Sequence, residues 1–214
     1  MKYMIVLLAM ISDRSMAQNI AVADTSNLSP LAAYSNEWNK QQYSGSNTAK
    51  NAGYMTDKEK EVIYILNLAR TYPKLFANTV LTKYPSLSGK DSLANNSYYQ
   101  TLLEEMLTIQ QLPLLNADEK CFISAECHAK TSGEAGYAGH SRRSDECKTK
   151  QHFFGECCHY GNAAPINIIV TLLIDEDIPS LGHRKILLGN YSTIGVSIQS
   201  HKAYRYNTVL DFYN

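Results

Sequence analysis

The chain has 214 residues, of which 44% are hydrophobic, and its 20 basic residues balance its 20 acidic residues. This size and composition indicate one globular domain with extensions rather than several domains. Because the formal net charge is zero, composition gives no support for binding to nucleic acid or to an anionic membrane surface, both of which attract strongly basic proteins.

Residues 1–17 have the pattern of a signal peptide. One lysine precedes a short apolar stretch, which is too short to span a bilayer. Small residues at Ser15 and Ala17 favour cleavage before Gln18, and Ala21-Val22-Ala23 is a second small-residue site farther from the apolar stretch. The pattern predicts an exported protein, secreted or periplasmic, with no transmembrane span in the mature chain.

Residues 18–55 form a polar segment rich in Ser, Asn, Ala and Gln, without a sustained hydrophobic period. Such a composition predicts an extended or poorly ordered lead-in to the domain. Trp38 is the exception in this segment, and we expect it to pin the segment to the domain surface.

Four helices are predicted between the lead-in and Pro179. Thr56 and Glu59 have the spacing of a capping box at the start of the first helix, and Tyr72-Pro73 bends or ends it. Apolar residues at helical spacing predict the second helix over residues 98–109 and the third from residue 116 to the glycines at 133 and 136. The fourth is a nearly unbroken apolar run that ends at residue 175.

The hydrophobic period changes from helical to alternating after Tyr191. The alternating apolar positions are Ile194, Val196, Ile198, Tyr204, Tyr206, Thr208, Leu210 and Phe212. They predict an antiparallel hairpin with a turn at residues 200–202. Helices followed by a hairpin predict an α+β fold. We expect His201, at the hairpin tip, to be solvated, and His128, on the third helix, to be a packed or surface histidine.

The common catalytic signatures are absent from the sequence, which has no His-Glu-x-x-His, Gly-x-Ser-x-Gly, Ser-x-x-Lys or Cys-x-x-Cys motif. This argues against the commonest zinc proteases, serine hydrolases and thiol redox proteins. Three short segments nevertheless have candidate chemistry. They are Gly139-His140 after the third helix, Gly155-Glu156 in a short predicted strand, and Gly182-His183 after the fourth helix.

The order and spacing of these segments resemble those of the CAP superfamily, which includes cysteine-rich secretory proteins, venom allergens, plant pathogenesis-related proteins and a bacterial branch. Leu112-Pro113-Leu114-Leu115-Asn116 and Tyr191-Ser192-Thr193-Ile194-Gly195-Val196 also fit the bacterial members. The resemblance implies a CAP domain over residues 56–214. It also implies an α-β-α sandwich with a central antiparallel sheet, and a surface cleft lined by two histidines and two acidic residues.

Matched residue by residue, the resemblance places the cleft histidines at His140 and His183 and the first acid at Glu156. The second acid falls on Asp175, with Glu176 as the alternative, because animal members usually have glutamate there. Cys157 stands where the family has asparagine in its Gly-Glu-Asn motif.

Such a tetrad has a physical rationale of its own. A carboxylate bonded to one imidazole nitrogen fixes the tautomer and raises the basicity of the other nitrogen. The metal ligands would be His140 and His183, which can together chelate zinc or another divalent ion. Alternatively, one of the two histidines can activate water as a general base. Two protein ligands are fewer than the three usual at catalytic zinc. We therefore predict a binding module for a metal, small molecule, lipid or peptide, with an extracellular hydrolase or peptidase as the alternative.

The five cysteines all lie in the central part of the chain, at positions 121, 127, 147, 157 and 158. In an exported protein they predict disulfides, and their odd number leaves at least one thiol free. Cys121 and Cys127 lie on roughly opposite faces of a helix and should not pair with each other. We expect a bridge from Cys147 to Cys157 or Cys158, which would hold the loop after His140.

Overall fold

The computed structural model describes residues 28–214, so the predicted signal peptide and the first residues of the predicted lead-in lie outside the described part. The helices are α1 (Asp57–Thr71), α2 (Pro73–Phe76), α3 (Thr82–Leu87), α4 (Ser97–Thr108), α5 (Glu119–Ala135), α6 (Asp145–Thr149), α7 (Pro165–Ile174) and α8 (Gly182–Leu187). The strands are β1 (Asn116–Ala117), β2 (Gly155–Tyr160), β3 (Thr193–His201) and β4 (Arg205–Tyr213). The predicted α+β fold class is confirmed.

One four-stranded sheet, in the order β1-β3-β4-β2, forms the centre of the described domain. The predicted hairpin is present as β3 and β4, which pair antiparallel from Thr193 with Tyr213 to His201 with Arg205. Strand β2 pairs antiparallel with the other edge of β4. The two-residue β1 pairs parallel with β3. The sheet is therefore antiparallel in its three long strands and mixed only through this short edge strand.

Helices cover both faces of the sheet, as the sandwich architecture requires. Neighbouring cysteines on β2 show this division, because successive side chains of a strand point to opposite faces. Cys157 belongs to the large apolar cluster that contains Leu66 of α1 and Ile169 of α7. Cys158 belongs instead to a small cluster with Ala125 of α5. The main core thus lies between the sheet and α1 and α7, while α5 covers the opposite face.

Two glycines allow α5 and β3 to approach closely. A Cβ atom on Gly195 of β3 would lie 2.0 Å from the backbone nitrogen of Phe122 in α5. A Cβ atom on Gly133 of α5 would lie 2.1 Å from the carbonyl oxygen of Ser200 in β3. Each element therefore has a glycine where the backbone of the other passes, once near each end of the contact.

The described part of the lead-in, residues 28–55, packs into the domain. Leu31 and Trp38 are 0% and 1% exposed, and both belong to the main core. The indole Nε1 of Trp38 donates to Thr79 Oγ1 at 3.0 Å, and its ring lies against Tyr43. The expectation of an extended or poorly ordered segment does not hold for these residues, because their few apolar side chains are buried together.

Local sequence features explain where the helices begin and end. Thr56 and Glu59 form the predicted capping box at the start of α1, and Pro73 begins α2 directly after Tyr72. Helix α7 ends where Asp175 adopts a left-handed conformation with φ of 54°. This helix is very apolar but only ten residues long. Among residues 28–214, no helix combines the length and apolar character needed to cross a membrane.

The disulfide differs from the predicted pairing. Cys127 of α5 is bonded to Cys147 of α6, whereas Cys157 and Cys158 are free and buried. The prediction that Cys147 pairs with Cys157 or Cys158 was wrong, because α6 lies beside α5 and brings Cys147 to Cys127. The bridge closes a loop that contains His140, rather than tying down the segment after it.

The prediction of a solvated His201 was also wrong. Its side chain is only 4% exposed, and its Nε2 lies 3.1 Å from the carbonyl oxygen of Tyr137. Its Nδ1 accepts from the backbone N–H groups of Ala203 and Tyr204. The ring thus satisfies the backbone of its own turn, which is why it folds inward.

Candidate functional site

His140 and Glu156 form the first histidine–carboxylate pair. His140 lies in the loop after α5, and Glu156 lies on β2 beneath it. Nδ1 of His140 lies 2.8 Å from Glu156 Oε1. The histidine side chain is 57% exposed and the glutamate side chain is 3% exposed. A buried acid therefore orients an accessible imidazole.

Asp175 and His183 form the second pair, across the turn from α7 to α8. Nδ1 of His183 lies 2.7 Å from Asp175 Oδ1, and the backbone N–H of His183 donates to Asp175 Oδ2 at 2.9 Å. The left-handed backbone at Asp175 turns the carboxylate toward α8. Glu176, the alternative acid, is exposed and hydrogen-bonded to Asn96. Asp175 is thus the acid that contacts the histidine, despite its shorter side chain.

The two pairs lie side by side, and we call His140, Glu156, Asp175 and His183 the cleft tetrad. The ring centroids of the two histidines are 6.3 Å apart. Each Nδ1 faces a carboxylate, which only accepts when ionised, so each Nδ1 donates and, in the neutral ring, Nε2 has the lone pair. The tetrad therefore offers two imidazoles with fixed tautomers, one exposed at His140 and one half-buried at His183.

Arg142 and Asp211 lie behind Glu156 and were not identified from the sequence. Arg142 Nη2 lies 2.6 Å from Glu156 Oε2 and 3.1 Å from Asp211 Oδ2. Glu156 and Asp211 face each other directly in the β2–β4 register. Asp211 could have been noticed in the sequence, because it is a charged residue within the apolar alternation of β4. Arg142 could not, because only the strand register shows that two facing acids need a cation between them.

The electrostatics of this cluster keep Glu156 ionised. Burial alone would raise its pKa, but hydrogen bonds with His140 and Arg142 outweigh burial and lower the pKa to about 2. The opposite holds for Asp211, whose pKa is raised by burial and by the charge of Glu156. The hydrogen bond with Glu156 raises the pKa of His140. The carboxylate of Glu156 is thus the permanent negative charge under the cleft.

Arg184 holds the turn that positions the second pair. This residue is 1% exposed, and its guanidinium donates to the carbonyl oxygens of Leu173 and Ile174 at the end of α7. It also donates to the carbonyl oxygen of Tyr98 on α4. Because the last carbonyls of a helix lack intrahelical partners, this arginine caps α7 and fixes α8, which begins with Gly182 and His183.

A cleft of about 700 Å³ is lined by residues from the end of β2 and from α7, and none of the four tetrad residues lines it. Its walls include Lys90, Ile166 and His159. Burial, together with the charges of Lys90 and His183, lowers the pKa of His159 to about 4. His159 is therefore a neutral polar group at neutral pH in a cleft with one cation and an apolar wall.

Buried and half-buried side chains of the described domain include further groups that could hold a metal ion. One consists of His128, Glu156 and Cys158, and the other of Asp118, Cys121 and His152. Neither was predicted from the sequence, because their members come from separate segments. The structure brings the four residues of the cleft tetrad together and adds two donor sets, the first of which shares Glu156 with the tetrad.

A comparison of the chain with protein-family profiles, with curated proteins and with solved structures finds no significant match.

Proposed function

We propose that this chain is an exported protein of the CAP superfamily whose cleft tetrad binds a divalent metal, zinc first, as part of a binding module. The observation that supports this most strongly is the pair of adjacent imidazoles, each with its Nδ1 held by a buried carboxylate. Metal-binding histidines characteristically donate their second nitrogen to such an acceptor, which leaves Nε2 as the metal ligand.

The spacing of the two rings suits a shared ion. With zinc–nitrogen bonds of about 2.0–2.1 Å, two imidazoles on one ion have centroids roughly 5–6 Å apart. The observed 6.3 Å between His140 and His183 is within reach of a small ring rotation. Borderline-soft zinc suits imidazole ligands, and water would complete the coordination shell.

The organic ligand of the module would lie in the neighbouring cleft next to His159. The exposed cation of Lys90 and the apolar wall at Ile166 suit a small molecule, lipid or peptide that has both an anionic and an apolar part.

A second candidate function is hydrolysis. The lone pair on Nε2 of His183, next to an ionised acid, has the form of a general base that activates water. However, Cys157 and Cys158 are buried, and burial raises the pKa of both thiols, so neither is an activated nucleophile. We therefore place metal and ligand binding ahead of catalysis.

Calorimetric zinc titration at neutral pH tests the proposal. We expect the wild type to bind zinc, and the His140→Ala and His183→Ala variants to lose the cleft site. Asp175→Asn should weaken affinity about 10–100-fold, because asparagine leaves one acceptor oxygen for the two N–H groups of His183 that Asp175 accepts from. The matched control is Glu176→Gln, one residue away and exposed, which should bind like the wild type.

Affinity should also weaken on acidification, because protonated imidazole is not a ligand. Since the pKa of His140 is raised, the loss should begin at a higher pH than for a free histidine. Equal zinc binding by the wild type and both histidine variants would contradict the proposed metal site at the tetrad.

A further inference from the structure

The strongest unexplained feature outside the histidine pair is His128, which is fully buried on α5. Its Nε2 lies 2.9 Å from the carbonyl oxygen of Gly139. Because a carbonyl oxygen only accepts, Nε2 has the proton and Nδ1 has the lone pair. No donor among residues 28–214 reaches this Nδ1. Burial lowers the pKa of His128, so the ring remains neutral with its lone pair free.

A carboxylate and a thiol lie near the His128 ring. The ligand atoms of His128, Glu156 and Cys158 are all within 4.8 Å of one another, and all three residues are buried. Glu156 Oε2 is paired with Arg142 Nη2 at 2.6 Å, so His128 Nδ1 is the unsatisfied acceptor of this group. Buried polar atoms are normally satisfied, so a free buried lone pair near a carboxylate and a thiol needs an explanation.

We propose that His128 Nδ1, Glu156 and Cys158 Sγ form a buried binding site for a thiophilic divalent cation of the zinc class, separate from the histidine pair of the cleft. A bound ion would satisfy the orphaned Nδ1 of His128. A nitrogen, an oxygen and a sulfur ligand together favour zinc over the oxygen-seeking magnesium and calcium. The bond of His128 to the carbonyl of Gly139 supplies the second-shell contact that fixes a metal-binding tautomer.

Binding requires a simple exchange at Cys158. A sulfur–metal bond forms, the sulfur–hydrogen bond breaks, and one proton passes to water without any change of oxidation state. Burial raises the pKa of this thiol, so without metal it is protonated and unreactive. The thiolate and Glu156 would each bring one negative charge to the ion.

The ion would enter from the cleft side. Cys158 Sγ lies 3.7 Å from Nδ1 of His140, whose side chain is 57% exposed. The proposed site thus lies one layer beneath the His140 ring and shares only Glu156 with the tetrad. Its occupancy does not require Asp175 or His183.

The second donor set, Asp118, Cys121 and His152, is a weaker candidate. Asp118 Oδ1 already accepts from the backbone N–H of Cys121 at 2.8 Å as the N-cap of α5. The His152 ring stacks on Tyr213 with centroids 4.0 Å apart. These groups therefore have structural roles that do not need an ion.

Cobalt(II) titration of the metal-free protein, with the Cys127–Cys147 disulfide intact, tests the proposal. Cobalt bound to a thiolate has a charge-transfer absorption in the near-ultraviolet, whereas cobalt bound to two imidazoles does not. We expect this absorption in the wild type and in His183→Ala, and its loss in Cys158→Ser. The His128→Gln variant should bind at least about tenfold more weakly, because it removes one of three ligands.

The other two free cysteines provide matched controls. Cys157→Ser, adjacent in sequence but on the opposite face of the sheet, and Cys121→Ser, in the second donor set, should both retain the absorption. If Cys158→Ser does not fold, X-ray absorption of the zinc-loaded His183→Ala protein gives the same answer through a zinc–sulfur distance of about 2.3 Å.

The results separate this site from the proposed function of the cleft. Absence of thiolate absorption in the wild type, its retention in Cys158→Ser or its loss in Cys121→Ser would overturn the buried site. Failure of the cleft site alone would instead appear as equal zinc stoichiometry in the wild type and His183→Ala, with the thiolate absorption unchanged.

Discussion

Glu156 belongs to two charge systems at once, since it accepts from His140 above and contacts Arg142 below. Because its pKa falls from the ordinary 4.5 to about 2 in the folded protein, ionised Glu156 stabilises the fold. An acid whose pKa is lower in the folded protein stabilises the fold fully at pH values above its unfolded pKa. This contribution is lost as pH falls through the folded pKa. The raised pKa of His140 acts in the opposite direction, since its contribution disappears as pH rises through that pKa.

The metal-free wild type should therefore exceed Glu156→Gln in free energy of unfolding most strongly between about pH 4.5 and 6.5, the unperturbed values of the two groups. The shift of Glu156 corresponds to a difference on the order of 3 kcal/mol. This difference should shrink as pH falls from 4.5 toward 2. Denaturant unfolding at a series of pH values measures it, and Glu176→Gln is the exposed control. A difference that does not vary with pH would show that Glu156 contributes by packing alone.

At the scale of elements, the turn between α7 and α8 depends on one buried cation. Arg184 donates to Leu173 and Ile174 on one helix and to Tyr98 on another. Its charge is countered by Glu105, whose Oε2 lies 3.3 Å from Nη1. Three helices thus meet at one guanidinium, next to His183.

Replacing Arg184 should damage both stability and the second histidine pair. Arg184→Ala leaves several buried carbonyls without donors and should cost about 3 kcal/mol or more in the free energy of unfolding. Arg184→Lys should rescue little, because one ammonium cannot reproduce the planar fork of donors. Thermal unfolding measures the loss, with the neighbouring exposed Lys185→Ala as control. Full rescue by lysine would mean that charge, rather than the fork of hydrogen bonds, holds the turn.

Elements with local signals were predictable from the sequence. The capping box of Thr56 and Glu59 and the alternating pattern of β3 and β4 depend on residues close in the chain, and the structure contains both. The disulfide and the role of Arg142 depend instead on how distant segments pack. The sequence alone showed a cysteine on a helix and an arginine in a loop, without the register that sets Glu156 opposite Asp211.

At the scale of the molecule, the lead-in is part of the core for the residues described. Trp38 and Tyr43 are buried beside Tyr72 at the end of α1. The polar composition of the segment did not indicate this burial, because an average over many residues is little changed by a few aromatic side chains. Burial of a tryptophan and its neighbours contributes to the stability of the whole domain rather than of a separate arm.

Two measurements test this conclusion. Trp38→Ala should lower the free energy of unfolding by about 3–5 kcal/mol, the usual cost of removing a buried aromatic side chain, whereas Leu28→Ala, at a residue that is 53% exposed, should cost little. Limited proteolysis should leave residues 28–55 attached to the resistant core, without a preferred cut between this segment and α1. A resistant fragment that starts near residue 56 would support the original prediction of a loosely attached segment.

The contact between α5 and β3 also limits which amino-acid substitutions this domain can accept during evolution. Gly133 and Gly195 each lie where any Cβ would meet a backbone atom of the other element, and backbone cannot move aside as a flexible side chain can. Every missense change at either codon adds a Cβ, so none of them is conservative at these positions. A lineage can replace one of these glycines only if α5 also shifts away from the sheet. That shift would loosen the α5 residues beneath His140. We therefore expect Gly133 and Gly195 to be substituted only in relatives in which the cleft tetrad no longer functions.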